Sequence, residues 1–403
     1  MRATPDERSS SGSWVEELDG LRALACLAVF GVHFQQMTHA GGRLGPFDIE
    51  WLLENGNTGV CLFFVLTGFL LSLPFWKAAR DSAADPAARP GWLRGYLRSR
   101  AARIVPPYYL CLAALIAAGG NWRGAKFPVD VLLHLAFLHN AAEFSIYGIA
   151  SHFWALAVIV QFYVIFPLLI LPLRRVLRFG AVACLVLAAA GTGAYLAHAS
   201  LLHAARLHAH QWPLPPELVS PDGYVLTHSL LAHLPHFLLG MLAAGVFGAV
   251  RRNRAKKARV PVFGTAFWLA AGALVLILGI PELDDVFAVP FGRYNLPYVP
   301  ILIAVLIVCA PCSRSASAVL AFAPVRRLGT ISYGVYIYHP PCLALVASGM
   351  GTARLSAREN WALFGAAGLI FSVAVATVSY VLMERPILRW AKRARADKGG
   401  GVP

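Results

Sequence analysis

This chain of 403 residues predicts an all-α, polytopic integral membrane protein with about ten transmembrane helices and both termini inside. Three observations carry that prediction. Hydrophobic residues make up 58% of the chain and charged residues only 14%, too few to clothe a soluble domain of this length. The mean hydropathy is +0.61. The basic residues fall in alternate connections between apolar runs, as expected of a protein that threads back and forth through a bilayer.

Apolar stretches long enough to span a membrane recur at 18–37, 56–76, 104–120, 150–172, 180–202, 228–250, 262–280, 296–313, 329–349 and 360–383. Residues 1–16 are a polar, cytoplasmic N-terminal segment without a cleavable signal pattern, so the first span reads as a retained anchor. The membrane domain then runs over 17–390, and 391–403 reads as a disordered cytoplasmic tail. With the N-terminus inside, 27 of the 35 Lys and Arg residues fall on the inner side and 7 on the outer. Such a ratio orients the protein. It also removes the nucleic-acid reading that a net charge of +15 invites, because the charge is a topology signal.

The seven cysteines sit mostly in apolar runs, where Cys behaves as a small hydrophobe, so no disulfide framework is expected. Cys309 and Cys312 have redox-motif spacing but lack the soluble context of one. His203, His208 and His210 crowd an outer loop without helical ligand spacing or a neighbouring acid, so no metal is expected there.

The polar groups inside the spans point to chemistry, because ionisable side chains at membrane depth are costly. The first span carries Asp19, Arg22 and His33. At about 100° per residue all three share one stripe, and His33 lies about 16 Å beyond Arg22 along the axis. The fourth span adds His152 and Trp154 near its outer end and Gln161 and Tyr163 at mid-depth. The ninth places Ser332, Tyr336 and His339 on one face. Arg100 and Arg103 close the longest basic inner loop one turn apart, a spacing that suits phosphates of a cytoplasmic ligand, with snorkelling at the interface as the alternative. Glu384 at the inner end of the tenth span is expected to pair with a neighbouring basic residue.

Taken in order, these segments resemble the acyltransferase-3 family of bacterial membrane O-acyltransferases, over about residues 16–390. The resemblance rests on Leu18-Asp19-Gly20-Leu21-Arg22-Ala23, the Arg22–His33 spacing, and Gly59 through Phe69 in the second span. It continues with Arg100-Ala-Ala-Arg103, Trp154 through Tyr163, Ile331-Ser332-Tyr333 with His339-Pro340, and Glu384-Arg385-Pro386. Members usually carry acids where Cys61 and Ile159 stand, and a serine where Thr67 stands. The missing acids leave open what orients His33, with Asp19 or Glu143 as substitutes.

The resemblance implies transfer of an acyl group, acetyl most commonly, from cytoplasmic acyl-CoA to a hydroxyl of a glycan, glycolipid or glycosylated small molecule at the plasma membrane. Acyl-CoA would be a co-substrate, with no bound cofactor and no metal. His33 would act as general base with Arg22 and Asp19 in the catalytic stripe, or form a transient acyl-imidazole. Arg100 and Arg103 would bind the donor. Gln161, Tyr163 or His339 would donate to the oxyanion, and Trp154, Ser332 and Tyr336 would complete the substrate site. Two other readings stay open. In one, Asp19, Arg22 and His33 form the proton path of a transporter or flippase. In the other, loss of the acids at Cys61 and Ile159 leaves a catalytically impaired family member.

Overall fold

A computed structural model describes residues 16–81, 84–119, 124–207, 224–254, 261–283, 297–351 and 358–396. Helix α1 (Glu16–Thr38) is followed by a two-residue hairpin, β1 (Arg43–Leu44) against β2 (Phe47–Asp48), and by the short helix α2 (Ile49–Glu54). Then come α3 (Thr58–Arg80), α4 (Trp92–Ala118), α5 (Phe127–Leu135), α6 (Glu143–Ile146), α7 (Trp154–Leu173), α8 (Gly180–Leu207), α9 (Leu230–Arg254) and α10 (Val262–Gly279). The chain closes with α11 (Tyr298–Cys309), α12 (Arg314–Leu320), α13 (Ala323–Thr330), α14 (Ser332–Met350), α15 (Trp361–Ser379) and α16 (Arg385–Ala396).

Among the described residues, seven stretches are long and apolar enough to cross a membrane, or eight if the bent pair α11–α12 is one span. Helices α1 and α14 stand at the first and ninth expected positions and are long enough, but they are less apolar. The reason is local: these two helices carry Arg22, His33, Ser332, Tyr336 and His339. The polarity of the fold is inside-out. Leu168, Leu185, Leu269, Ile370 and Leu382 each expose 68–73% of their surface, while Asp19, His152, His339 and Glu384 are buried. Lipid is the solvent that this arrangement suits, and the protein is a multi-pass membrane protein.

Backbone proximity holds the centre. Helices α3 and α9 pack closely, and a Cβ on Gly68 would strike the Phe237 carbonyl while one on Gly240 would strike that of Val65. Helix α1 lies against α3, α13 and α14. At its start only a hydrogen fits at Gly329, which abuts the Asp19 carbonyl. Small residues at such crossings let dispersion forces do what hydrophobicity cannot do in lipid.

Two expectations are corrected. Arg100 and Arg103 lie inside a helix and not in a loop, because α4 starts at Trp92, just after Gly91 in a left-handed conformation (φ 69°). No breaker follows until Pro106 and Pro107, and α4 continues through both. The expected span at 296–313 is present as Tyr298–Cys312, after which the chain turns by 96° into α12, which Ser313 caps by accepting the Ala316 N–H at 3.1 Å. Residues 391–396, expected in the disordered tail, belong to α16, which is helical to Ala396. Residues 1–15 and 397–403 lie outside the described residues, as do His208, His210 and the side chain of His203.

Candidate active site

Helices α1, α3, α4, α7 and α14 enclose a cavity of about 780 Å³, its open mouth included. One end is basic. Arg22, Arg100 and Arg103 all line it, with Tyr163 among them. Arg22 bonds Asp19 at 2.7 Å, one turn earlier on α1. Arg100 stands 5.8 Å from the Tyr163 ring centroid and, among the described residues, hydrogen-bonds only the Ser99 hydroxyl, at 3.4 Å. Neither Arg100 nor Arg103 has a carboxylate within ion-pair distance among the described residues. The charge of Arg103 is felt by Glu384, which a π-helical turn over Tyr380–Glu384 rolls into the bundle, where it accepts from Ser379 at 3.4 Å. Glu384 was expected to pair with a basic residue. It faces one without forming a salt bridge.

The wall beyond the arginines is apolar, with Val60, Phe63, Leu70, Leu71, Leu156 and Ile159. Most of its hydroxyls are spent. Thr67 donates to Phe63 O at 2.7 Å, Ser332 to Gly329 O at 2.8 Å, Tyr333 to Ile104 O at 2.7 Å and Tyr336 to His152 O at 2.5 Å. Among the described residues the Tyr163 hydroxyl alone of these has no hydrogen-bond partner. The basic end therefore offers donors and positive charge, and among the described residues no paired carboxylate competes with a ligand for Arg100 and Arg103.

At the opposite end, past Tyr336, three histidines meet. The rings of His33 and His339 are 4.8 Å apart, those of His33 and His152 6.3 Å, and those of His152 and His339 6.0 Å. None of the three lines the cavity, and the Tyr336 ring stands 6.1 Å from His339 and 6.3 Å from His152. Tyr336 and His152 lock reciprocally, since the tyrosine donates to the His152 carbonyl and His152 Nε2 donates to Ile337 O at 3.0 Å. Among the described residues no group of three His, Cys, Asp or Glu side chains could hold a metal ion.

Carbonyls only accept, so they assign the imidazole tautomers. His33 Nδ1 lies 2.9 Å from Val29 O, and His339 Nδ1 lies 3.0 Å from Val335 O and 2.9 Å from Tyr336 O. Each Nδ1 therefore carries the proton. The contact of 3.1 Å between His33 Nδ1 and His339 Nε2 is then a donation from His33 to the lone pair of His339. Nε2 of His33 keeps its own lone pair, and this half-buried ring has no other hydrogen-bond partner among the described residues.

The structure brings Arg22, Arg100, Arg103, Tyr163, Ser332 and Tyr336 to one cavity and His33 and His339 to its far side. It leaves others out. Gln161 gives its amide hydrogens to Phe137 O at 3.0 Å and Asn140 Oδ1 at 2.7 Å, so it has none left for an oxyanion. Both nitrogens of His339 are likewise committed. Trp154 turns from the cavity to stack edge-on against His228 and Phe64. Tyr163 lies eleven residues along from His152, at the level of the arginines and about 16 Å from the histidines. Asp19 is committed to Arg22, and no carboxylate stands within hydrogen-bond distance of His33 among the described residues. His152, to which the sequence reading assigns no role, is the third member of the cluster. Its signal was a further histidine at the end of a span, eleven residues before Tyr163.

Comparison with known proteins decides the family. A profile described as an acyltransferase domain matches residues 15–381. The chain belongs to the acyltransferase-3 family. It is 25% identical over 364 residues to the peptidoglycan O-acetyltransferase OatA of Listeria monocytogenes, covering 83% of this chain and 50% of that protein. It is 26% identical over 356 residues to the exopolysaccharide production protein ExoZ of Rhizobium meliloti, covering 85% and 93%. A third relative is BcsY of Komagataeibacter xylinus, a putative membrane-bound transacylase, 28% identical over 406 residues and covering 94% and 84%. The chain spans about half the length of the first of these relatives. No solved structure matches it.

Within this acyltransferase-3 chain, the two positions where the resemblance implies acids are now placed. Cys61 is fully buried, and Ile159 forms part of the cavity wall.

Proposed function

We propose that this chain is a plasma-membrane O-acyltransferase that moves an acyl group, acetyl first among the candidates, from acyl-CoA to a glycan hydroxyl. Both termini are cytoplasmic in this reading, which puts the arginine end of the cavity on the side where acyl-CoA resides. One observation carries it: Arg100 and Arg103 line a cavity beside Arg22 with no carboxylate paired to either among the described residues. Unpaired guanidiniums in a half-enclosed site select a multiply charged anion such as the phosphates of CoA. Tyr163 adds a hydroxyl donor there. The apolar wall accommodates the pantetheine arm, and the roughly 16 Å from Arg22 to His33 is a span that the arm bridges. The names of OatA and ExoZ point to cell-surface glycans as the acceptor class.

His33 then acts as general base. Its Nε2 lone pair takes the proton of the acceptor hydroxyl, the alkoxide attacks the thioester carbonyl, and the C–S bond breaks. The CoA thiolate recovers the proton from His33, so the cycle closes without a further reactant.

The test is His33→Ala. The variant should insert, still bind acetyl-CoA and release no CoA when a glycan acceptor is added. Near-normal transfer by this variant would sink the assignment.

A further inference from the structure

We propose that His339 is the positioning residue for His33, doing with an imidazole lone pair what a carboxylate does for the histidine of a hydrolase triad. The inference rests on the reading of His33 as the base. It stands on four contacts. His339 Nδ1 is pinned between Val335 O at 3.0 Å and Tyr336 O at 2.9 Å, so its Nε2 is unprotonated. That Nε2 meets His33 Nδ1 at 3.1 Å. His33 Nδ1 also meets Val29 O at 2.9 Å, which keeps its proton on Nδ1. His339 is 1% exposed, so water does not compete for the contact.

The consequence is chemical. With Nδ1–H held by two acceptors, the His33 lone pair can only be on Nε2, and the ring cannot flip without losing both bonds. When Nε2 takes the acceptor's proton, His33 becomes an imidazolium whose Nδ1–H is already aimed at the His339 lone pair. A hydrogen bond from a cation is stronger than one from a neutral donor, so this contact strengthens as the base becomes charged. His339 itself neither gains nor loses a proton. A carboxylate is not needed for this task, which accounts for how the site can be assembled in a chain with Cys61 and Ile159 at the positions where the resemblance implies acids.

His339→Met removes the acceptor and keeps the volume. His339→Gln puts Oε1 near the place of Nε2 and restores an acceptor. Turnover of acetyl-CoA with a chito-oligosaccharide acceptor should fall on the order of 10–100-fold in kcat for the Met variant, with KM for acetyl-CoA unchanged. The Gln variant should return to within a few-fold of the parent. In the ¹⁵N-histidine-labelled full chain, a ¹⁵N–¹⁵N coupling across the hydrogen bond should join His33 Nδ1 to His339 Nε2. Absence of that coupling, full turnover by His339→Met, or no rescue by His339→Gln in a folded protein would each overturn the proposal. A fully active His33→Ala protein would instead overturn the reading of His33 as the base, on which this inference rests, so the two failures are distinct.

Discussion

Tyr336 and His152, 184 residues apart in the chain, are tied by a hydrogen bond of 2.5 Å from the tyrosine hydroxyl to the histidine carbonyl. The return bond, from His152 Nε2 to Ile337 O at 3.0 Å, makes the tie reciprocal. This clasp joins α14 to the turn that starts α7. It sets the ring of Tyr336 at the end of the cavity nearest the histidines.

Tyr336→Phe leaves the ring in place and strands the buried carbonyl of His152. The cost is about 1–3 kcal/mol, the desolvation penalty of an unsatisfied acceptor. Thermal unfolding in detergent should shift down accordingly, and an unchanged Tm would show that the clasp carries no stability.

Arg100→Ala combined with Arg103→Ala removes two charge-assisted contacts to the donor phosphates. KM for acetyl-CoA should rise about tenfold or more, with kcat little changed. A fall in kcat alone would assign the pair to another task.

Gln161→Leu tests whether this residue belongs to the chemistry. Its amide holds Phe137 O and Asn140, and Asn140 in turn donates to His228 O at 3.0 Å. Stability should drop by about 2 kcal/mol while KM for acetyl-CoA stays put. A variant as stable as the parent but slower in turnover would return Gln161 to the active site.

Gly240→Val drives a branched side chain into the Val65 carbonyl at the α3–α9 crossing. Overpacking of this kind costs about 3 kcal/mol. The expected result is loss of the monodisperse peak in size-exclusion chromatography, and a normal yield of folded protein would contradict the close approach.

His139 lies between α5 and α6, outside the spans, fully buried and stacked on His134 at 4.3 Å with Asp130 nearby. Burial, and then the neighbouring imidazole of His134, pushes it down to about 3 from an ordinary 6.5. The unfolded chain therefore binds this proton near pH 6.5 and the folded chain does not. Stability from this group is complete above pH 6.5 and is lost as the pH falls, about 2 kcal/mol by pH 5. Tm should decline between pH 7.5 and 5 more steeply for the parent than for His139→Phe, and parallel curves would refute it.

Much of this was legible in the linear chain because it depends on local rules. Apolar length located the helices, and where that rule was diluted, in α1 and α14, the dilution itself marked the candidate site. Helical pitch placed Arg22, Asp19 and His33 on one stripe whatever surrounds them. The α4 boundary was misplaced because apolar length does not register a polar helix that continues an apolar one, as it does from Trp92.

Pairing across the bundle was not legible, because a donor's fate depends on which distant carbonyl folding brings to it. Gln161 and His339 looked like free donors, and folding spends one on Phe137 and Asn140 and turns the other into an acceptor for His33, 306 residues away. The stripe on the first helix was written in the order of the residues. What orients its histidine was settled only when α14 packed against α1, since a hydrogen bond needs both partners within about 3 Å and no local rule specifies that distance.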